Sequence, residues 1–393
     1  MSSQDFKFYN PAKIVSGNKA LDSLGYELTQ LKAQRLLIIT DRGVREAGLI
    51  DQVNKSLEKS DNISTVLFDD VPTDSSPAAI NAAALVFREN ECDAIVAVGG
   101  GSVIDTGKAV DIVVSEGAED ILELKGSKIR QPMKPLIAIP TTAGTGSEVT
   151  YAAMIRDPDQ NEKVIFAAYQ LIPDVAILDP RMTVSLPPLL TAATAMDAMS
   201  HAMEACISNH RNPVSDAHGF AAIELIRENL LQVIKNGEDI QGRFYLANAA
   251  CMAGAAFSNS GVGVIHALGH ALGGECGVPH GVAMNIFLPY GLEYNMSEVK
   301  DIIAEMLLPL AGPEVYVQTP KDIRAEKTVE CIHKFKDQLY ELTKLSRSLN
   351  EAGVKANALE AIAQKAIKDA AVYFNPKKIT YEDAMALLEK AFQ

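Results

Sequence analysis

Short apolar runs, each ending in Gly, Pro, Asp or Thr, punctuate the first half of the chain. "RLLIITD" (Arg35–Asp41), "ISTVLFDDV" (Ile63–Val71), "AIVAVGGG" (Ala94–Gly101), "LIAIPTT" (Leu136–Thr142) and "VAILDP" (Val175–Pro180) are apolar without alternation, so they read as strands buried on both faces. Helical patterns such as "SPAAINAAALVFREN" lie between several of them, and strand–helix alternation predicts a parallel sheet with helices on both sides. "EVTYAAMIRDPDQNEKVIFA" differs: two β-rich runs flank a polar turn, which predicts a hairpin. After "SLPPLL" the pattern becomes helical to the end, with Ser185 as a candidate cap for a helix opening near Pro187 and Pro188. The stripe Ile223, Ile226, Leu230 and Ile234 is core at helical spacing. Residues 1–184 are expected to form an α/β domain and residues 185–393 an all-helical one.

Composition adds exclusions. With 48% apolar and 22% charged residues the chain is globular, not disordered. A net charge of −14 makes nucleic acid and anionic membranes poor partners. The first residues lack the apolar core of a signal peptide, and no apolar run reaches spanning length. Cys92, Cys206, Cys251, Cys276 and Cys331 form no CxxC pair, which fits a reducing cytoplasm. Cys276 is read as a buried, inert thiol.

Two loops suggest a nucleotide. "VGGGSVIDTGKA" (Val98–Ala109) follows a strand and opens a helix, so its N–H groups can face a phosphate, with glycines allowing close approach or positive φ. It is neither GxGxxG nor a Walker loop. "PTTAGTGSE" (Pro140–Glu148) also follows a strand and carries many small donors. Two such loops at the strand ends of one parallel sheet converge on the crevice where open α/β sheets bind ligands. Asp41, ending its strand, can accept from a ribose hydroxyl and repel a 2′-phosphate, which favours NAD over NADP; its structural alternative is a helix cap.

Three of seven histidines fall within "VIHALGHALGGECGVPHG" (Val264–Gly281). His266 and His270 share a helical face, and breakers at Gly273, Gly274, Gly277 and Pro279 let His280 return to the same pocket. "AMDAMSHAMEA" (Ala195–Ala205) places Asp197 and His201 one turn apart on an otherwise apolar helix. A carboxylate and several imidazoles in apolar surroundings suit a divalent metal, Fe(II) or Zn(II). His210, His218 and His333 are read as surface residues.

With these motifs, from "GGGSVIDTGKA" through "IPTTAGTGSEVT" and "LPPLLTAATAMDAMSHAMEA" to "FNPKKITYEDAMALLEKAF", the chain resembles the iron-containing (group III) alcohol dehydrogenases over nearly its whole length. The resemblance implies a Rossmann-like N-terminal domain and an all-α C-terminal domain, the dehydroquinate synthase-like fold, with the active site in the cleft between them. It implies NAD(H)- and metal-dependent interconversion of primary alcohols or diols with aldehydes, Fe(II) being favoured over Zn(II), in a cytoplasmic homodimer or higher homo-oligomer. It assigns Asp197, His201, His266 and His280 as metal ligands and His270 as a non-ligand proton relay. It assigns Asp41, Gly99, Gly100, Gly101, Ser102, Thr141, Thr142, Thr145 and Lys163 to the cofactor.

The family's Asn-Pro-Thr is replaced here by "VPTDSSP", so Thr73 or Ser75 stands in for the Asn. Ala152 and Ala371 align with positions that are larger in some diol-specific relatives, while Phe257 keeps an aromatic wall. The small residues predict tolerance of longer or bulkier alcohols. Rival readings are a hydroxyacid dehydrogenase or transhydrogenase on the same fold, for which no cationic carboxylate partner is evident, and a metal-dependent lyase or hydrolase. A metal-binding scaffold leaves the two loops unexplained.

Overall fold

The computed structural model describes residues 5–393 except 59, 61 and 158–161. Two compact units result: one spans Asn10–Leu186, and the other spans Pro187–Gln393 together with the N-terminal segment up to Tyr9.

The first unit is a six-stranded parallel sheet: β1 (Lys13–Ser16), β2 (Arg35–Ile39), β3 (Ser64–Phe68), β4 (Ala94–Gly99), β5 (Leu136–Pro140) and β8 (Val175–Leu178). Their order is β1-β8-β5-β4-β2-β3. The helices are α1 (Leu24–Gln30), α2 (Arg42–Glu46), α3 (Leu49–Leu57), α4 (Pro77–Glu89) and α5 (Gly101–Glu116). Alternate strand residues divide the core. Leu36, Ile38, Val96, Val98, Ile137 and Ile139 pack on Leu24, Leu28 and Val53 of α1 and α3. Leu37, Ile39, Ile95 and Ala97 pack on Ile80, Ala83, Ile104 and Val110 of α4 and α5. The expected hairpin is β6 (Ala152–Asp157) and β7 (Glu162–Ala167), antiparallel; its turn lies outside the described residues.

Chain order reverses between β2 and β4. From β2 the chain steps outward to β3, then returns to lay β4 on the other side of β2. The ends of β2 and β4 therefore flank a topological switch point, where open α/β sheets bind ligands. The central strands are buried as expected, but β3 is not: it is an edge strand and leaves most residues exposed. The opposite edge, β1, is short and largely exposed, and its apolar pattern is too weak to register in the sequence.

The second unit is helical: α6 (Pro188–Ile207), α7 (Pro213–Lys235), α8 (Ile240–Ser260), α9 (Val264–Cys276), α10 (His280–Glu305), α11 (Leu307–Ala311), α12 (Pro313–Gln318), α13 (Arg324–Thr343), α14 (Leu359–Ala366) and α15 (Tyr381–Phe392). Ile223, Ile226, Leu230 and Ile234 are buried along α7. Ser185 does not cap α6. Pro187 occupies the cap position and Pro188 starts the helix, where its missing N–H and fixed φ cost nothing. Gly273 and Gly274 lie inside α9; the break comes at Gly277, with φ 67°, and Pro279. No single helix among the described residues is long and apolar enough to cross a membrane.

Candidate metal centre and cofactor loops

Helix α6 is buried along nearly its whole length, and Asp197 and His201 face the same way from consecutive turns. Helix α8 turns into α9 through a bend of 103° around Gly261–Gly263, which carries His266 to the same place. His280 arrives as the first residue of α10. A Cβ on Gly281 would lie 2.4 Å from the Ala193 carbonyl oxygen of α6, so glycine there is what lets α10 begin against α6.

One donor atom from each of Asp197, His201, His266 and His280 lies within 4.8 Å of the other three. Asp197 Oδ1 is 3.2 Å from His280 Nε2 and 3.8 Å from both His201 Nε2 and His266 Nε2. Ligands at about 2.0–2.2 Å from one tetrahedral ion are spaced at roughly 3.3–3.6 Å, so the donor set fits a single divalent cation. A second observation agrees: Asp197 Oδ1 and His266 Nε2 are buried without a hydrogen bond. Burial opposes charge on Asp197, but the surrounding imidazoles, His201 first, hold its carboxyl well below the usual range. Burial likewise opposes charge on His266, yet Glu204 and Asp197 raise it to about 9. His280 is lowered to about 4, chiefly by desolvation, although Asp197 opposes this.

Glu204, unremarked in the sequence, completes this centre. It lies on α6 with side-chain exposure of 0%. Its Oε1 accepts from Ile265 N–H at 2.8 Å, and its Oε2 accepts from His266 Nδ1. The cap residue of α9 is Gly263, which has no side chain to offer its first N–H groups. Glu204 fills that role from another helix and Asn375 Oδ1 takes Val264 N–H at 3.1 Å. A Cβ on Gly263 would meet Asn375 Oδ1 at 2.4 Å and Glu204 Oε1 at 3.1 Å. Because the carboxylate only accepts, it fixes His266 with Nδ1 protonated and Nε2 directed at the donor cluster.

His270 lies outside the four-donor group. Its ring stacks on His280 at 5.5 Å, and its Nδ1 is 3.0 Å from Asp369 Oδ2. Phe257 lies against His201, with ring centroids 4.1 Å apart. Ala371 is buried beside Asp369, whose Oδ1 accepts from its N–H. Cys276 is exposed, contrary to the expected buried thiol, because it falls on the last, solvent-facing turn of α9. Desolvation and Glu275 raise its pKa, so it is no activated thiolate. Of the other histidines, His210 is exposed while His218 and His333 are half-buried, His218 bonding Val214 O and stacking on Phe8.

In the first unit the two loops meet. Thr141 N–H bonds Gly99 O at 3.0 Å. None of Gly99, Gly100 and Gly101 has a positive φ, so their need is close approach, not unusual backbone. A Cβ on Gly99 would lie 2.5 Å from Val103, and one on Gly101 would lie 2.6 Å from Thr145; Gly100 faces Thr142 at an ordinary distance of 3.4 Å. Ser102 Oγ donates to the Thr73 carbonyl, and Ser75 is turned inward on Thr106, which leaves Thr73 as the exposed member of that pair. Asp41 caps α2, with Oδ1 accepting from Val44 N–H at 2.9 Å. Lys163 lies 3.8 Å from Asp74.

Asp105 and Lys108, inside the quoted glycine motif, staple the loops together. Lys108 is fully buried, and its Nζ donates toward Ser147 Oγ, Thr150 O and Oγ1, and Ala152 O at 2.8–3.0 Å. Asp105 accepts from Ser147 Oγ at 2.5 Å and from Met154 N–H at 2.9 Å. Desolvation lowers Lys108 to about 8, against the pull of Asp105 and Glu148. The sequence alone gave these residues no role, because their partners lie about forty positions away.

The first unit carries a switch point with two small-residue loops, and the second carries an Asp/His₃ donor set, features that suit a nucleotide- and metal-dependent enzyme. Comparison with known proteins makes this specific. Residues 11–180 match the family described as iron-containing alcohol dehydrogenase, and residues 191–392 match its C-terminal part. The chain is 33% identical to NAD-dependent methanol dehydrogenase of Bacillus methanolicus, over 98% of this chain and 99% of that one. It is 34% identical to long-chain-alcohol dehydrogenase 1 of Geobacillus thermodenitrificans, over 95% and 93%. A solved 1,3-propanediol oxidoreductase superposes with TM-score 0.94 at 32% identity, covering 99% of this chain and 100% of that one. The chain belongs to the iron-containing alcohol dehydrogenase family and has its fold. It is an oxidoreductase of the alcohol dehydrogenase class.

Proposed function

We propose that the chain interconverts primary alcohols or diols with aldehydes, using NAD(H) and a divalent metal, Fe(II) before Zn(II), and that it works as a cytoplasmic homodimer or higher homo-oligomer. The observation carrying this reading is the convergence of Asp197, His201, His266 and His280, with Asp197 Oδ1 and His266 Nε2 buried and unbonded. In this reading residues 185–393 supply the metal-binding domain and residues 1–184 the dinucleotide-binding one.

When bound, the metal supplies Lewis-acid polarisation of the substrate oxygen, and the nicotinamide ring supplies a hydride acceptor or donor. The protein does the rest. Asp197 offsets the cation's charge, and Glu204 orients His266. Gly99, Gly100, Gly101 and Ser102, with Thr141, Thr142 and Thr145, present N–H and hydroxyl donors to the pyrophosphate. In this reading Thr73 and Lys163 add contacts to the cofactor, and Asp41 selects NAD over NADP by repelling a 2′-phosphate. His270, part-exposed beside the donor cluster, takes the proton released during alcohol oxidation and returns it during reduction. The small side chains at Ala152 and Ala371, together with the aromatic Phe257, support substrates longer than a three-carbon diol.

A panel of alcohols and aldehydes assayed by NADH absorbance tests the reading. The assay is run on metal-stripped protein and again after refilling with Fe(II) or Zn(II). Metal-dependent turnover extending past three carbons is expected. No alcohol-dependent NADH formation with either ion would overturn the activity, and a collapse beyond three carbons would overturn the wide pocket.

A further inference from the structure

Two histidines lie one turn apart on α9, and each has its own carboxylate at Nδ1. Glu204 serves His266, and Asp369 serves His270 at 3.0 Å. Asp369 is held from its other side. Its Oδ1 accepts from Ala371 N–H at 2.8 Å, capping the 3-10 turn Ala370–Tyr373. The strap that follows is anchored as well. Asn209 N–H donates to Phe374 O, and Asn375 Oδ1 accepts from Val264 N–H at the start of α9 itself. Asp369 and His270 thus belong to pieces fixed to each other, and the pairing is built in. Both side chains are mostly covered, at 20% and 13% exposure, which leaves an edge for proton exchange.

We propose that Asp369 is a positioning residue that holds His270 as its Nδ1–H tautomer, leaving Nε2 as the proton acceptor. A carboxylate carries no proton to give at neutral pH and can only accept, so the imidazole nitrogen facing it is the one that bears hydrogen. The same device on His266 frees a nitrogen for the metal, whereas on His270, outside the four-donor group, it frees a nitrogen for a proton. The proposal rests on His270 handling the proton in the proposed function, and the test keeps the two apart.

Asp369→Asn and Asp369→Ser separate tautomer from structure. The asparagine is the closer mimic in shape; with its oxygen on Ala371 N–H, its NH₂ faces His270 Nδ1 and demands a lone pair there. The serine keeps a cap acceptor for Ala371 N–H but withdraws from the ring. Long-range ¹H–¹⁵N spectra of histidine-labelled, Zn(II)-loaded protein in alkaline buffer read the tautomer directly. Nδ1–H is expected for His270 in the wild type, and Nε2–H in Asp369→Asn. Turnover should fall by at least about tenfold in Asp369→Asn and by less in Asp369→Ser, with KM for NAD and Zn(II) affinity close to wild type. A purely structural role gives the opposite order, with the isosteric asparagine milder. An unswitched tautomer in Asp369→Asn overturns the positioning role. A switched tautomer with unchanged turnover instead overturns proton handling by His270.

Discussion

Replacing Glu204 by Gln removes one negative charge from a carboxylate with side-chain exposure of 0% that accepts from Ile265 N–H and His266 Nδ1. The amide can still accept one of those hydrogens, so the first turn of α9 keeps a partner. The other contact then sets NH₂ against N–H, or forces the imidazole to turn its lone pair away from the donor cluster. Loss of an outer carboxylate on a metal-binding histidine weakens metal binding by about 10–100-fold, or roughly 1.4–2.7 kcal/mol. Proton competition gives the effect a signature. In the wild type Glu204 helps raise His266 to about 9, so below that pH a cation must displace a proton from Nε2. The variant binds that proton less tightly. Zn(II) titration against a chromogenic competitor should therefore show the full loss near pH 9 and a narrowing gap toward pH 7. Equal affinities at pH 9, or a gap that widens toward acid, would refute the reasoning.

Lys336 donates to the Ile286 and Arg347 carbonyls, and its burial lowers it from 10.5 to about 7. Between those values the unfolded chain holds a proton that the folded chain lacks, so wild-type stability relative to Lys336→Met should rise with pH. Urea unfolding at pH 7 and 8.5 should show a rise of up to about 2 kcal/mol, and a fall would contradict the assignment. Gly101→Ala drives a methyl into Thr145 at 2.6 Å, and overpacking of about 1–3 kcal/mol should weaken NADH binding, measured by fluorescence. Thr145→Ser, which deletes the clashing methyl, should restore part of that binding. Asp41→Gly should relax the preference for NAD over NADP while lowering the Tm only slightly, since glycine is itself a tolerable cap; an unchanged cofactor ratio would assign the preference elsewhere.

The sheet and the helical half were legible because their signals are local. Unbroken apolar runs marked β2, β4, β5 and β8, and a carboxylate and an imidazole one turn apart in apolar text marked α6. The quoted "AMDAMSHAMEA" contained Glu204 in plain view. Its role stayed hidden because it depends on the bare start of α9, sixty-one residues on. Asp369 was hidden in the same way, ninety-nine residues from its imidazole. The glycine run was marked for two reasons, positive φ and close approach, and only the second holds, since the neighbours that exclude a Cβ come partly from the other loop. β3 was read as buried because sequence shows that a strand is apolar, not that it ends a sheet.

The glycine start of α9 also ties one imidazole of the donor cluster to a distant part of the chain. Helix α9 cannot complete its own first turn; its opening N–H groups wait for Glu204, which precedes it, and for Asn375, which follows it by 111 residues. Removing Asn375 leaves Val264 N–H without that acceptor at the start of the helix that carries His266. The geometry of the donor cluster thus depends on a residue far outside it in sequence, and a substitution at Asn375 is expected to reach His266 through the start of the helix.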